Sequence, residues 1–475
     1  MIPARLQPLL RAEGVPVRVA ERFRAAGHEL YLVGGSVRDA LLDRVAAVEE
    51  YDFTTDASPD EIEGLLRGWA KAVVVVGKEF GTVGAHLDGI SVEITTFRSE
   101  VYREESRKPV VEFSNDLATD LSRRDFSINA IALRLVPEPE MIDPHGGLTD
   151  LGAGVLRTPI DPEISFADDP LRMLRLFRFV ATLGFTVEDA TLAAAGAMAG
   201  RIEIVSAERV HGEFDRLITG DFVAAGLWGV VDSGLAEHFI PEIPALAVEQ
   251  DPFHQHKDVL AHTIAVVEKC PADDRIVRLA ALFHDIGKPE TREVGEGGVS
   301  FHHHEVVGAR ITKARMRELR YPKDDIDAVS RLVYLHMRPH TFKLGWSDRA
   351  VRRYVRDAGD QLDQLNTLVR CDVTTRNEKR ERQIQRAISE LEDRIAELRS
   401  REEIDRIRPP IDGNRVMQHL GLKPGPLVGE AMDMLLEHRL DEGPYDEEEA
   451  LRLLDDWMRE RESRAKNQDN TNPNS

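Results

Sequence analysis

Residues 30–55 read LYLVGGSVRDALLDRVAAVEEYDFTT, and this stretch decides the fold of the first part of the chain. Its apolar start predicts a strand that ends at Gly34 and Gly35, followed by a helix and a second strand. Side chains two apart on a strand share a face, so Glu50 and Asp52 present paired carboxylates. A glycine turn and a helix start suit phosphates, and paired carboxylates suit Mg²⁺. The stretch therefore predicts a site that moves a nucleotidyl group from a triphosphate, and the alternative is a surface turn with two solvated acids.

Three further charged residues are candidates for the same site. Glu93 falls on a predicted strand, where its carboxylate would either join the metal-binding acids, as a ligand or a base, or face solvent. Arg123 and Arg124 fall where the sequence predicts a loop that enters a helix over 116–133. Two cations at a helix start oppose the helix dipole, so either a bound anion or a surface salt bridge would explain them.

Local patterns predict several other elements. The predicted elements are an apolar strand over 72–76, a hairpin of strands 82–87 and 91–97, a Gly-Pro-rich hinge over 143–151, and a long two-sided helix over 377–407. The long helix would suit an extended arm.

Composition restricts the classes of protein to which the chain can belong. At 475 residues, with 31% charged and 42% hydrophobic residues, it reads as about three globular domains. The net charge of −22 argues against a general nucleic-acid coat protein and leaves room for a local, salt-sensitive RNA contact. Two cysteines, Cys270 and Cys371, give no disulfide or metal framework and favour a reducing compartment. We expect no signal peptide, no membrane or DNA partner, and a cytoplasmic location.

A predicted helix over 168–183 carries a pair that suits base recognition. Asp169 is its expected N-cap, and Arg172 lies three residues later. Cytosine and adenine each present an amino group beside an unprotonated ring nitrogen, so a carboxylate can accept from the first and a guanidinium can donate to the second. Guanine and uracil would leave unpaired polar groups against such a pair. The alternative is a helix cap with a simple salt bridge.

Most of the 16 histidines lie between residues 251 and 376. His262, the adjacent His284 and Asp285, and Asp372 fall on successive predicted helices. Neutral imidazoles and carboxylates in such a set indicate a metal site, whereas a lone histidine on an apolar face is usually a core residue.

These motifs resemble one family, the class II tRNA nucleotidyltransferases, which add CCA to tRNA 3′ ends, and the related bacterial poly(A) polymerases. The matching segments, over roughly residues 29–220, are LVGGSVRDALL, RRDFSINA, the hinge DPHGGLTDL, the base-selecting helix DDPLRMLR and the next neck helix SAERV. The resemblance implies nucleotide-binding roles for Gly34, Gly35, Arg38, Arg123, Arg124, Asp169, Arg172 and Arg175. It implies that Asp169 and Arg172 are the base-reading pair, supported by Arg175. It also implies that Arg123 and Arg124 hold the triphosphate or the tRNA end.

The histidine-rich region resembles an HD phosphohydrolase domain. By that resemblance a divalent metal would be held by His262, His284, Asp285 and Asp372. His304 and His336 would then be accessory residues around substrate or a second metal. The head departs from its family pattern where the usual Asp-x-Asp pair begins with Glu50, which is one methylene longer and puts the catalytic rate in question more than the reaction type. A milder departure is Asp168-Asp169 in the base-reading motif, which is often Glu-Asp in the family.

The expected fold is an α/β nucleotidyltransferase head, with a mixed sheet like that of DNA polymerase beta, followed by an all-α neck, HD body and tail. The expected boundaries are an N-terminal helix over 1–28, the head over 29–155, the helical neck with its base-selecting helix over 156–250, the HD domain over 251–376, a helical arm and tail over 377–463, and a disordered tail over 464–475.

The resemblance implies template-independent addition of CCA to the tRNA 3′ end from CTP and ATP, with Mg²⁺ held by Glu50 and Asp52 and with release of pyrophosphate. Poly(A) polymerase activity and partial CC- or A-addition share every motif above and stay open. Two alternatives of another class also stay open: an HD-type metal phosphohydrolase with a non-catalytic RNA-binding head, and a non-catalytic tRNA-binding scaffold.

Overall fold

The structure is a computed structural model that describes residues 2–44, 50–75, 77–101, 110–113, 116–248, 258–295, 298–339, 346–373, 378–402 and 407–470. The chain forms two compact units, Met1–Ala247 with Arg317–Tyr321, and Val248–Met316 with Pro322–Ser475. Among the helices in these ranges, none is both long and apolar enough to cross a membrane.

The first unit contains a mixed sheet followed by helices. Its elements are α1 (Val15–Ala26), β1 (Leu30–Val33), α2 (Gly35–Leu41), β2 (Glu50–Thr55), α3 (Pro59–Leu66), β3 (Ala72–Val74), β4 (Thr82–Leu87), β5 (Ile90–Thr96), β6 (Arg98–Val101), β7 (Val110–Phe113), α4 (Leu117–Ser122), β8 (Ala132–Val136), β9 (Glu140–Ile142), α5 (Gly147–Ala153), β10 (Val155–Leu156), α6 (Pro162–Asp168), α7 (Leu171–Leu183), β11 (Thr186–Val187), α8 (Asp189–Ala197), α9 (Ala207–Ile218) and α10 (Val223–Asp232).

Seven strands form the main sheet in the order β3-β4-β5-β2-β1-β8-β9. Within it β2 and β5 run parallel, and the other described neighbours run antiparallel. All four residues of β1 are buried, because strands flank it on both sides and helices cover the sheet. The mixed α/β head predicted from the sequence is confirmed.

Two local predictions in the head need correction, and one is confirmed. The single N-terminal helix expected over 1–28 is a 3-10 segment, Ala4–Leu10, followed by α1 after Gly14. The apolar strand expected over 72–76 forms β3 at the sheet edge, where Val74 is 43% exposed, and Val76 lies outside the described residues. The hairpin of β4 and β5 is confirmed, and both turn residues have positive φ, as a two-residue turn of this kind requires.

The prediction that Arg123 and Arg124 lie at the start of a helix is also wrong. Here α4 ends at Ser122, Arg123 follows as its C-terminal cap residue, and the chain continues into β8. Cations are favourable at a helix C-terminus, so the dipole argument for a bound anion does not apply at this position.

The segment expected as a hinge is a capped helix inside the first unit. The carboxylate of Asp143 accepts from the backbone N–H groups of Gly147, at 2.7 Å, and Leu148, at 2.9 Å. Gly147 packs so closely that an added Cβ would lie 2.2 Å from the carbonyl oxygen of Ser127. Glycine is therefore required where α5 crosses this backbone.

The helix predicted to select the base, α7, begins three residues later than expected. Asp169 lies between α6 and α7, and its carboxylate accepts from the Leu171 N–H at 3.2 Å, which is a capping contact. The next predicted helix is found as α9, with Ser206 as its N-cap.

The second unit is mostly helical. Its elements are α11 (Val259–Lys269), α12 (Arg275–Phe283), β12 (Arg292–Gly295), β13 (Gly298–Phe301), α13 (His304–Glu318), α14 (Lys323–Leu335), α15 (Asp348–Ala358), α16 (Leu362–Cys371), α17 (Glu378–Arg401), α18 (Gly413–Leu420), α19 (Pro426–Glu442) and α20 (Glu447–Asn470).

Two expectations for the C-terminal part differ from the structure. The long helix α17 is not an extended arm, because its apolar side is buried and Arg370 on α16 bonds to Glu392 and Gln385. The chain after Arg464, expected to be disordered, continues as helix α20 to Asn470, and residues 471–475 lie outside the described residues.

Candidate active site and metal centre

Three carboxylates meet on one face of the head sheet. In the parallel register of β2 and β5, Asp52 lies opposite Glu93, and Glu50 is two residues before Asp52 on the same face. One carboxylate oxygen from each of these three side chains lies within 4.8 Å of the other two. The strand pairing therefore brings together the three acids that the sequence singled out.

Burial and mutual repulsion raise the pKa of two carboxyl groups in this acid cluster. The pKa of Asp52 is raised, mainly by burial and also by Glu50, while Arg124 opposes the shift. The pKa of Glu93 is raised by burial and by the charges of Asp52 and Glu50. Three hard oxygen ligands that repel one another fit a divalent cation of the Mg²⁺ type.

The glycine turn lies directly against this cluster. Gly34 has a φ of 72°, and a Cβ added there would lie 3.2 Å from an Asp52 carboxylate oxygen and 3.5 Å from the nearest Arg124 nitrogen. Glycine is needed both for the backbone conformation and for the close approach of these two side chains. Helix α2 then begins at Gly35, so the turn, an acid and a cation converge as the sequence predicted.

Arg38 is fixed by partners on both sides. Its Nε and Nη2 donate to the two carboxylate oxygens of Asp39 at 2.8 Å, and its Nη1 donates to Asn129 Oδ1 at 2.9 Å. Asn129 in turn donates to Asp125 at 2.9 Å. These contacts join α2 to the segment that carries Arg124.

Arg175 connects that segment to the neck helices. Its Nε and Nη2 donate to Asp125 Oδ2 at 3.0 and 2.6 Å, and its Nη1 donates to Glu213 Oε1 at 3.0 Å. Burial by itself would raise the pKa of Asp125, but Arg175 and Asn129 outweigh it and hold this pKa well below its usual range. All three guanidinium nitrogens are engaged, which suits a supporting role for Arg175.

Asp169 and Arg172 do not pair with each other in the described part of the chain. Arg172 donates to the Ser165 carbonyl at 3.1 Å and hydroxyl at 2.9 Å, and also to the Arg123 carbonyl. Asp169 instead accepts from Arg209 at 2.8 Å. The simple salt bridge that the sequence left open is therefore absent, and Arg172 ties the start of α7 to the head segment of Arg123.

Arg178, Glu213 and Arg209 join this network, although no role was predicted for any of them from the sequence. Arg178 continues the three-residue spacing of Arg172 and Arg175, and this spacing was a usable signal. Its guanidinium carbon lies 3.6 Å from the Phe179 ring centre, and burial lowers its pKa to about 10. Glu213 and Arg209 both belong to α9, and no sequence pattern relates them to α7.

The second unit gathers six metal-ligand side chains where helices begin and end. The set, which we call the histidine cluster, comprises His262, His284, Asp285, His304, His336 and Asp372. His302 and His303 are exposed and lie outside it, and His340 lies outside the described residues.

Distances divide the histidine cluster into two groups. In one, His262 Nε2 lies 2.9 Å from Asp372 Oδ1 and 3.3 Å from His284 Nε2. In the other, His304 Nε2 lies 3.3 Å from His336 Nε2 and 3.5 Å from Asp285 Oδ1. The structure thus brings together the four predicted HD-type ligands and both accessory histidines.

The charges within the histidine cluster favour a bound cation. Burial lowers the pKa of His284, but Asp285 and Asp372 outweigh it and raise this pKa to about 10. Burial and the neighbouring His284 lower the pKa of His336 to about 3. A bound metal ion would supply the positive charge that the two carboxylates attract, so the residues fit a divalent cation.

Family models match three successive parts of the chain. The Poly A polymerase head domain matches residues 30–157, the "Probable RNA and SrmB-binding site of polymerase A" matches 184–246, and the HD domain matches 258–392. An A-adding tRNA nucleotidyltransferase from Deinococcus radiodurans is 34% identical over 443 residues, which cover 90% of this chain and 95% of that protein. The chain belongs to the tRNA nucleotidyltransferase family.

Two CCA-adding relatives align with this chain over about half of their own length. CCA-adding enzymes from Streptococcus gordonii and a Geobacillus species are 41% and 38% identical over 232 and 230 residues, about half of this chain. These alignments span 55% and 54% of the two relatives.

Solved structures share the fold. The Bacillus stearothermophilus CCA-adding enzyme in complex with CTP has a TM-score of 0.65 at 23% identity, covering 98% of this chain and 100% of that one. The Thermotoga maritima CCA-adding enzyme complexed with tRNA-CCA has a TM-score of 0.59 at 18% identity, covering 95% and 98%.

Proposed function

We propose that this tRNA nucleotidyltransferase adds CCA to tRNA 3′ ends without a template, using CTP and ATP. One observation carries the proposal: the segment around Arg123 contacts both halves of the candidate site. Arg124 approaches Gly34 beside the acids, and the Arg123 carbonyl accepts from Arg172 on the base-selecting helix. The CCA-adding relatives support the three-nucleotide product, and the A-adding relative defines its main rival.

In this proposal the acid cluster holds Mg²⁺ through Glu50 and Asp52, with Glu93 as a third ligand or a base. The bound cation neutralises charge on the reacting phosphate oxygens. The turn at Gly34 and Gly35 lets the protein backbone approach the triphosphate, and Arg124 adds positive charge beside it.

The chemistry is a displacement at phosphorus. The tRNA 3′-hydroxyl oxygen bonds to the α-phosphorus, the bond to the β-phosphate oxygen breaks, and pyrophosphate leaves. In this proposal Glu93 accepts the hydroxyl proton if Glu50 and Asp52 serve as the metal ligands. The cationic residues implied for the triphosphate are Arg38, Arg123 and Arg124, and positioning by these groups accounts for catalysis without a covalent intermediate.

Base choice rests on Asp169 and Arg172. The Asp169 carboxylate accepts from the amino group of cytosine or adenine, and Arg172 donates to the adjacent ring nitrogen. The hydrogen bonds of Arg172 among the described residues use three of its five N–H groups, which leaves two for a base. Arg209 must release or share Asp169 for a base to bind.

The test is nucleotide addition to a tRNA that lacks its 3′ CCA, with each nucleoside triphosphate alone and with CTP and ATP together. We expect two additions with CTP alone and three with both. If CTP is never incorporated and a tRNA ending in CC gains one adenosine, the activity is A-adding. If a long adenosine tract forms, the protein is a poly(A) polymerase.

We propose a second function for the HD body, because six ligand side chains converge there. In this role His262, His284, Asp285 and Asp372 hold a divalent cation, and the body hydrolyses phosphate esters. Hydrolysis of p-nitrophenyl phosphate and of its bis ester, with each of several divalent metals, tests this activity, and failure with all of them removes it. We also propose a cytoplasmic location, which cell fractionation tests.

A further inference from the structure

Cys270 and Cys371 lie side by side in the second unit, although they are far apart in the chain. Cys270 is the cap residue at the C-terminal end of α11, and Cys371 is the last residue of α16. They are the only cysteines in the sequence, and both are free thiols. The packing of α11 against α16 therefore brings together every thiol of the protein.

Hydrogen bonds connect the two thiols to each other and to the end of α11. The Cys371 thiol donates to the carbonyl oxygen of Lys269 at 3.4 Å. The Cys270 and Cys371 side chains are also hydrogen-bonded to each other. Because Cys371 has a single S–H hydrogen and gives it to the carbonyl, its sulfur accepts from Cys270. The two side chains thus point towards each other, as a disulfide requires.

The two thiols differ in their access to solvent. Cys270 is 2% exposed, whereas Cys371 is partly exposed. A dissolved oxidant reaches the exposed thiol first, and the buried thiol beside it can then react with the oxidised product. A role as small core side chains would explain the burial of Cys270, but it does not explain the exposure of Cys371.

We infer that Cys270 and Cys371 form a site of reversible oxidation by peroxides, in which Cys371 is oxidised first and Cys270 then closes a disulfide. The sequence predicts a reducing compartment, where disulfides are usually transient and redox-sensing. The inference is independent of both proposed activities, because it involves neither the acid cluster nor a bound metal ion.

The oxidation balances with one molecule of hydrogen peroxide for each pair of thiols. The Cys371 thiolate sulfur attacks one peroxide oxygen, the O–O bond breaks, and the departing hydroxide takes up a proton and leaves as water. The Cys270 sulfur loses its proton and attacks the sulfur of the resulting sulfenic acid. The S–S bond forms, the S–O bond breaks, and a second water leaves. A small dithiol reverses the reaction by thiol–disulfide exchange.

The cross-link would join two helix ends that lie beside the histidine cluster. His262 belongs to α11, and Asp372, which directly follows Cys371, places Oδ1 2.9 Å from His262 Nε2. The Lys269 side chain already donates to the Val373 carbonyl across the same two ends. A disulfide makes this attachment covalent, so local opening of residues 371–373 should be slower in the oxidised protein.

The first test treats the full chain with a small excess of hydrogen peroxide and maps its peptides without reduction. We expect one intramolecular Cys270–Cys371 disulfide per chain, loss of both free thiols, and recovery of both with dithiothreitol. This measurement needs no variant. Cys371 alkylated without a link to Cys270, or disulfides only between chains, would overturn the inference.

Two single substitutions then test the order of reaction, and each is the matched control for the other. Cys270→Ser removes the resolving thiol, so dimedone should trap a sulfenic acid on Cys371. Cys371→Ser leaves only the buried thiol, so we expect little adduct on Cys270. Equal adducts in the two variants, with circular dichroism melting curves that show both to be folded, would contradict the assigned roles.

Hydrogen exchange tests the attachment of the two helix ends. The backbone amides of residues 371–373 should exchange more slowly in oxidised than in reduced wild-type protein, and peroxide should cause no such slowing in Cys270→Ser. Unchanged exchange in a protein that contains the disulfide would show that the cross-link does not restrain the segment of Asp372.

Discussion

The acid cluster of the head and the histidine cluster of the HD body are both candidate metal sites, but they differ in ligand type and burial. The head uses only carboxylates, on two adjacent strands, and two of its three acids are exposed. The HD body uses imidazoles and carboxylates where helices begin and end, and most of them are buried. An exposed set of oxygen ligands suits an exchangeable Mg²⁺ that arrives with a triphosphate, and a buried set of imidazoles and carboxylates suits a metal ion that stays bound.

We expect the largest effect from a substitution that alters the acid cluster of the head and leaves the histidine cluster intact. Asp52→Asn removes a central carboxylate of the acid cluster, so we expect nucleotide addition to fall by about 10³-fold or more, since electrostatic stabilisation at the reacting centre is worth that much. Metal content of the HD body should not change. Asp60→Asn, at a side chain that is 88% exposed, is the control and should keep full activity.

Retention of nucleotide addition by folded Asp52→Asn protein would show that the acid cluster is not the metal site. Loss of metal from the HD body in the same variant would contradict the separation of the two clusters.

Metal removal should separate the two clusters by rate of exchange. Brief treatment with a chelator should abolish nucleotide addition, and excess Mg²⁺ should restore it within minutes, because the acid cluster is open to solvent. Ions in the buried histidine cluster should remain through the same treatment, as measured by elemental analysis after desalting. Equal rates of loss from both clusters would remove the distinction that burial implies.

A smaller effect is expected at the base-reading pair. Asp169→Asn replaces a pure acceptor with an amide that can also donate, so discrimination of CTP over UTP should fall by about 10- to 100-fold. The measurement is kcat/KM for each nucleoside triphosphate on truncated tRNA. Unchanged discrimination, with an unchanged total rate, would place base reading elsewhere.

The smallest effect concerns the departure from the family pattern. Glu50→Asp shortens the side chain by one methylene and restores the usual pair of aspartates. We expect a change in rate of less than about 10-fold and a shift in the Mg²⁺ concentration that gives half-maximal activity, since the ligand type is unchanged. Complete loss of activity would show that the longer side chain is required by this particular sheet.

The sequence predicted the features that depend on residues close together in the chain. The strand, glycine turn, helix and paired acids around Asp52 follow from alternation and from the two glycines, and the HD ligands follow from the adjacent His284 and Asp285. The parallel pairing that brings Glu93 to Asp52 joins strands about forty residues apart, and alternation alone does not choose a partner strand. Arg123 was assigned to the wrong end of a helix, because charge pattern alone did not locate where α4 ends.

Contacts between helices could not be predicted from the sequence either. The pairing of Asp169 with Arg209 joins residues 40 apart, on elements whose packing angle no local pattern specifies. The Nδ1 atoms of His284 and His336 lie 2.7 and 2.6 Å from backbone carbonyl oxygens three residues upstream, and these contacts depend on where each helix ends.

The central claim is that a neck helix reads the base while the head acids hold Mg²⁺ beside the triphosphate. A crystal structure of the chain with CTP and Mg²⁺ tests this claim most directly. We predict that the cytosine amino group lies about 2.9 Å from an Asp169 carboxylate oxygen, with Arg172 on the ring nitrogen and Arg209 displaced. The triphosphate should lie beside Glu50 and Asp52. A base bound away from Asp169, with the Asp169–Arg209 pair intact, would contradict the account.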